Sequence, residues 1–401
     1  MSVRTAPRSR LETRATVLEA VLRSKGLLRQ EIAAEARLTE ASVSRILAEL
    51  RSEGVIEEKR IPAPYIGGPT GKITLSKDIH VLGIELANDR LSLGLGDLAG
   101  GADYIERQPV GPGMDQAAFE RLFADALQEV VSWAAERGRT LRQAALSLPG
   151  LMPAPGGEGD ETNVILPWDM VRLRGFVSRA LGDVPLAMTN TVIAQAAFHR
   201  YRRGQSYPPV GDHLFVFVGN GLAGVMVNEG APVDTFRPFE LGHMIIERGG
   251  AVCRCGHRGC LEAYTSLKAV SALVGLPADE ILRRGDGFLD PQAVGNAQRQ
   301  VLRERLRLLG VGIGNALNLA WLPSVVLCGW PSLMAAEARA EIEAGIAESL
   351  LGGAGAWRPQ LDFVAPSIGN DPRGALAFAA HAFVQGGGQQ SSLAMAEAAE
   401  N

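Results

Sequence analysis

The chain has 401 residues, 46% hydrophobic and 21% charged, with 40 Lys+Arg against 44 Asp+Glu for a formal net charge of -4. That composition belongs to a globular protein large enough for two or three domains and excludes a disordered, highly charged chain. No apolar run reaches about eighteen residues, and MSVRTAPRSRLETR lacks the apolar centre of a secretory signal, so a cytoplasmic protein without a membrane span is expected.

Residues 1–72 hold 13 Lys+Arg and 9 Asp+Glu, or +4, which leaves 27 minus 35, or -8, for the remainder. A basic start on an acidic body points to a polyanion partner for the start alone. Val17, Leu18, Val21 and Leu22 make one helical stripe, and Leu28, Ile32, Ala33 and Ala36 a second. After the turn RLT, Thr39 is placed to cap a third helix with Val43, Ile46, Leu47 and Leu50 on its apolar face. VIEEK and KITL then read as strands joined by IPAPYIGGPTG. Helix, helix, turn, helix and β-wing in this order predict a winged helix-turn-helix over 1–76 that binds operator DNA. Ala41, Ser42, Ser44 and Arg45 face outward on the third helix, where they can reach bases or phosphates. A small helical bundle used for protein contacts would share the stripes, but not the wing.

Beyond residue 78 strands alternate with helices, which predicts an α/β fold. VLGIEL and LSLGLGDL form a hairpin, 115–137 a long helix, ALSLPG and PLAM strands, HLFVFVG and AGVMVN a second hairpin, and 296–320 a long helix before the strand VVLC. Two regions that each open on a hairpin suggest an architectural duplication. PAPGGEGDE reads as a mobile loop, and 387–401 as a disordered tail.

In GHMIIERGGAVCRCGHRGCLE, the 21 residues from Gly242 to Glu262, three of the chain's 4 Cys occur within eight positions. Cys253, Cys255 and Cys260 suit a zinc ion in a reducing compartment, with His257 or His243 as the fourth ligand. Four such ligands fill a tetrahedron and give a structural, not a catalytic, metal. Cys328, in an apolar run, reads as a core thiol.

E-L-G-H at Glu240–His243, followed by C-x-C-G-x-x-G-C-x-E ending at Glu262, resembles the signature of the ROK family of repressors, open reading frames and sugar kinases. The resemblance covers the chain from the winged helix to VVLCG. It implies a two-lobed, actin-like (ribonuclease H-like) sugar-binding body over 77–386, with lobes of about 77–185 and 186–386. It also implies that His243, not His257, completes the zinc site and touches a bound sugar, with Glu240 and Glu262 as further sugar ligands. Gly150, Thr162, Asn163 and Asn190 fall where family members line the pocket.

The phosphoryl-transfer parts depart from the kinase pattern. Where kinases carry Asn-Asp, with the Asp as base, this chain has Asn190 and Thr191, and a hydroxyl is a poor base at neutral pH. The first phosphate turn, D-x-G-G-T, is replaced by Glu85–Asp89 without glycine, the second survives only partly as Gly219–Ala223, and the adenosine turn reads CGWPS. The wing lacks the Arg that several members direct at the minor groove, and Lys72 stands nearest to that role. The expectation is therefore a non-enzymatic, sugar-responsive repressor of carbohydrate genes, a homodimer or homotetramer by resemblance. Its rivals are a sugar kinase with an unusual base and a regulator controlled by a protein partner docking near the zinc loop.

Overall fold

The computed structural model describes residues 9–24, 26–61, 70–87, 89–98, 101–111, 113–150, 170–201, 211–228, 233–285, 287, 294–353, 357–364 and 371–389, beginning with helix α1 (Arg10–Arg23). Ser9 caps α1: its Oγ accepts from the Glu12 N–H at 3.1 Å, and its own N–H donates to the Glu12 carboxylate at 2.7 Å. Helices α2 (Arg29–Ala36) and α3 (Glu40–Ser52) follow, joined by a turn in which Arg37 adopts a φ of 54° and Thr39 caps α3 through the Ser42 N–H at 3.3 Å. The predicted stripe residues of all three helices are buried, except Leu22 and Leu28, which are half-buried. Strands β1 (Ile56–Ile61) and β2 (Thr70–Leu75) pair antiparallel, and Ile73 also bridges Leu27, which fastens the wing to the helices.

A buried arginine that no stripe predicts ties this module together. Arg14, on α1 with 2% of its side chain exposed, donates from Nη1 to Glu49 at 3.1 Å and Glu53 at 3.0 Å, from Nη2 to Glu53 at 2.6 Å, and from Nε to the Gly387 carbonyl at 2.9 Å. Helix α3 is thereby pinned to the backbone that leaves α12 (Arg373–Gln385), the last of the described helices. Gly387 and Gly388 have φ of 67° and 74°, and a Cβ at Gly388 would meet Leu18 at 2.9 Å. The tail expected from 387 is corrected at its start: Gly387 and Gly388 are buried turn residues, because the Gly387 carbonyl accepts from Arg14 and both glycines lie close against α1; Gln389 is exposed, and 390–401 lie outside the described residues. Arg14→Ala is expected to lower unfolding free energy by about 2 kcal/mol in urea melts, as charge-assisted bonds are lost while solvent rehydrates the two glutamates. Arg14→Lys should recover less than half, since an ammonium cannot span the same acceptors.

The first α/β sheet has the order β5-β4-β3-β6-β7, with β3 (Ile79–Leu86), β4 (Arg90–Asp97), β5 (Ala102–Pro109), β6 (Thr140–Leu148) and β7 (Leu186–Asn190). One face, with Leu82, Ile84, Leu93 and Leu146, packs on Phe119, Phe123 and Val130 of α4 (Gln116–Glu136) and Val177 of α5 (Met170–Leu181). Helices α6 (Thr191–Tyr201) and α12 cover the other. The second sheet has the order β10-β9-β8-β11-β12, from β8 (His213–Val218), β9 (Leu222–Val227), β10 (Arg237–Phe239), β11 (Ser324–Gly329) and β12 (Gln360–Val364). Its core includes α8 (Leu267–Val274), α9 (Ala278–Arg284), α10 (Asn296–Ala320) and α11 (Ala335–Ser349). In each sheet a three-strand antiparallel meander is extended by two parallel strands, so the expected duplication is visible in topology.

The chain divides into compact units of 1–201 with 372–401, and of 202–371. The expected lobe division near 185 thus moves: β7 hydrogen-bonds to β6, and α6 and α12 pack on that same sheet, so all three belong to the first unit.

Candidate metal centre and ligand site

Between β10 and the short helix α7 (Glu262–Thr265) lies the cysteine loop, folded on itself by backbone bonds. Ile246 N–H donates to Gly259 O at 2.9 Å, Leu261 N–H to Met244 O at 2.9 Å, and Cys253 N–H to His257 O at 2.8 Å. Gly259 is obligatory in that hairpin: its φ is 81°, and a Cβ would lie 1.6 Å from the Glu247 carbonyl oxygen. Tyr264 pins the loop from below, accepting from the Ala251 N–H at 2.6 Å and donating to Glu247.

This folding gathers donor atoms of His243, Cys253, Cys255 and Cys260 within 4.8 Å of one another. A tetrahedral zinc with Zn–S near 2.3 Å and Zn–N near 2.05 Å sets S···S edges of about 3.8 Å and S···N edges of about 3.5 Å. The observed Cys255 Sγ to Cys260 Sγ separation is 3.7 Å, and Cys253 Sγ to His243 Nδ1 is 3.6 Å. The donor set therefore fits zinc in chemistry and spacing. His257 is exposed and lies 3.6 Å from Cys255 Sγ, but it does not join the four-donor group. The backbone N–H of His257 pulls the Cys255 thiol down to about 6, whereas burial pushes Cys260 up to about 12 and also raises Cys253. A metal held here displaces the protons of the raised thiols. Cys328, on β11, is a fully buried core thiol as expected.

His243 is two-sided. Its Nδ1 faces Cys253, and its Nε2 lies 3.7 Å from Glu240, one of the expected sugar carboxylates. The other, Glu262, is occupied by protein. Its buried carboxylate accepts from Arg254 Nε at 2.6 Å, from Arg254 Nη2 at 3.3 Å and from the Leu222 N–H at 2.9 Å. Nothing in the spacing C-R-C singled out Arg254; its partner is set by how the loop folds. Leu222 closes the residual second phosphate turn, where Gly219 N–H donates to Gly221 O at 2.9 Å. In the degenerate adenosine turn, Trp330 is fully buried and donates Nε1–H to Thr265 O at 2.7 Å, so an indole fills the space under that turn.

In the first unit, Asn190 is 6% exposed, donates from Nδ2 to the Gly150 carbonyl and accepts the Val192 N–H at 2.7 Å. Two of the expected pocket residues thus touch, and Asn190 serves as the cap of α6. Thr191, at the kinase base position, has Oγ1 at 3.5 Å from Ser147 Oγ. Glu85 is buried at the end of β3. Thr162 and Asn163 lie outside the described residues.

On α3, Ala41 and Arg45 are exposed, while Ser42 and Ser44 are half-buried and Ser42 Oγ accepts from Thr39 at 2.9 Å. Lys72 is exposed on the wing and pairs in register with Lys59, also exposed, which sequence reasoning passed over. Like charges directly opposite repel, and a phosphate would relieve that repulsion.

Three helices with a β-wing, two α/β sheets of like topology and a four-donor Cys/His loop define the class: a winged-helix α/β protein with a Cys/His metal-type loop. Residues 81–382 match the model of the ROK family, three quarters of the chain, and the chain belongs to that family. It is 25% identical over 336 residues to a protein named xylose repressor from Caldicellulosiruptor bescii, covering 78% of this chain and 81% of that one. It is also 25% identical over 258 residues to the transcriptional dual regulator NagC of Escherichia coli, covering 61% and 60%. A solved ROK-family transcriptional regulator, described as a homolog of the E. coli MLC protein, shares the fold with a TM-score of 0.74 at 19% identity, covering 94% of this chain and 97% of that one. A ROK glucokinase from Streptomyces griseus superposes with a TM-score of 0.54 at 22% identity, over 75% of this chain and 98% of that one. No described helix is long and apolar enough to cross a membrane.

Proposed function

We propose that the chain is a sugar-responsive DNA-binding transcriptional regulator that represses carbohydrate uptake or catabolism genes and has no kinase activity. Thr191 carries the second half of this reading: at the position of the kinase base stands a hydroxyl, whose pKa is far too high to take a proton at neutral pH. Domain 1–76 binds the operator through Ala41, Ser42, Ser44, Arg45 and Lys72, and body 77–386 binds the effector through Gly150, Thr162, Asn163, Asn190, Glu240, His243 and Glu262. Zinc on His243, Cys253, Cys255 and Cys260 crosslinks the loop and fixes the imidazole edge that faces Glu240. The working form is a cytoplasmic homodimer or homotetramer, which suits a two-fold operator. Effector binding favours one arrangement of the body over another and so alters operator affinity.

The name of the Caldicellulosiruptor bescii relative, xylose repressor, makes xylose the first sugar to test. With an operator selected from genomic DNA, a sugar that raises the melting temperature is expected to change operator affinity at least fivefold at fixed salt. Unchanged affinity at saturating sugar would remove the sensor reading. Phosphate transfer from ATP–Mg to any member of a sugar panel would instead establish the kinase.

A further inference from the structure

Helix α12 is buried from Gly374 to Val384, and its N-terminal end lies against the backbone of its neighbours. A Cβ at Gly83 of β3 would meet the Leu376 nitrogen at 2.4 Å, and one at Gly374 would meet the Ala194 carbonyl carbon of α6 at 3.1 Å. Helix α6 begins at the Asn190 cap, which also holds Gly150, and both residues are proposed effector ligands. Contacts this close leave no slack, so a shift of α6 or β3 has to be followed by α12.

At its other end α12 enters the winged module. The N–H groups of Gly387 and Gly388 donate to Val384 O at 2.9 Å and Phe383 O at 3.0 Å, so the turn is carried by the helix. A Cβ at Gly388 would come within 2.9 Å of Leu18 on α1, 3.4 Å of Leu50 on α3 and 3.4 Å of Val55 before the wing. Apolar contacts of this kind resist separation but permit sliding. The Arg14 guanidinium prevents sliding, because it holds the Gly387 carbonyl through Nε, and Glu49 and Glu53 of α3 through Nη1 and Nη2, in bonds that fix direction as well as distance. A buried ion pair contributes little net stability over an apolar contact of the same shape, whereas its geometry sets register.

Provided that α3 reads the operator as proposed, we infer that Arg14 is a positioning residue for operator binding. It transmits the placement of α12 to α3, so that changes in the body at the far end of α12 alter operator affinity through this guanidinium. The helix has 13 residues and spans about 20 Å, too far for direct contact between its first turn and α3.

A double-mutant cycle on the full-length chain tests this, read by affinity for the selected operator at fixed salt. Gly374→Ala adds a Cβ that fits only if α6 and α12 give by a few tenths of an ångström. In the wild-type background it is expected to change operator affinity about threefold or more, and in the Arg14→Gln background by less than about 1.5-fold. Glu53→Gln, a milder change at a half-buried carboxylate, should leave an intermediate effect, and it replaces Arg14→Gln in the cycle if that chain melts below the assay temperature. Hydrogen exchange at the α3 amides makes the same comparison without DNA: Gly374→Ala should alter it only where Arg14 is present. Additive effects in both measurements overturn the inference and leave the regulator reading intact, since sites so far apart act independently unless something rigid joins them. A Gly374→Ala chain that matches wild type in both also overturns it. If no operator is bound by wild type, the DNA-binding reading fails and the operator role of Arg14 with it.

Discussion

Full-length protein carrying Cys260→Ala or His243→Ala is expected to purify with little zinc, whereas His257→Ala keeps its full complement, as read by elemental analysis of each chain. The four-donor group contains His243, and His257 lies outside it at the exposed edge of the loop. The accompanying loss of stability should be large, about 4 kcal/mol for Cys260→Ala, which is at the severe end for a single change. Cys260 is fully buried and its backbone bridges Ile245, so an unligated loop there loses both a crosslink and its packing. Treating wild type with a strong chelator should reproduce the destabilisation, and returned zinc should reverse it. Metal retained in His243→Ala and lost in His257→Ala would reverse the assignment.

Gly345→Ala is expected to destabilise the protein by about 3 kcal/mol, although the change adds one methyl group to a helix and alanine favours helices. The reason is the crossing of α10 and α11, where the backbones touch. A Cβ at Gly345 would lie 2.0 Å from the Arg307 carbonyl oxygen, and one at Gly310 would lie 2.2 Å from that of Ile342. Neither obstacle is a side chain that can turn aside, so the helices must separate and open the core containing Leu306, Ile313 and Ile342. Ala340→Glu, exposed on the same helix, should stay within about 0.5 kcal/mol in the same urea melts. Equal stability of the two variants would show that the crossing can relax without cost.

The two experiments probe different layers of legibility. Helix stripes are local and periodic, so α4 and α10 could be read within a residue of their observed limits, α3 from its cap at Thr39, and α1 and α2 by their stripes though not by their limits. The hairpins β3–β4 and β8–β9 were equally plain from alternating apolar runs. Strands β5 and β10 passed unnoticed because their half-exposed faces give no continuous apolar signal. Helix α12 was missed for the opposite reason: it is buried nearly all round, which leaves no polar stripe to mark its period.

By itself the sequence determined the order of winged helix and α/β body and the cysteine loop, since each rests on residue identity at short spacing; that Thr191 stands where kinases carry a base follows only from the family resemblance. It left His243 and His257 as equal candidates on chemistry alone, and only the family resemblance chose between them before the folded loop grouped His243 with the cysteines. Tertiary structure alone decided that Arg14 joins α3 to the backbone at Gly387, that Asn190 spends its amide on Gly150 and Val192, and that Glu262 meets Arg254. A polar side chain's role is set by which partners come within about 3 Å of it. For Arg14 those partners stand 35, 39 and 373 residues away in the chain, a separation that no local pattern encodes.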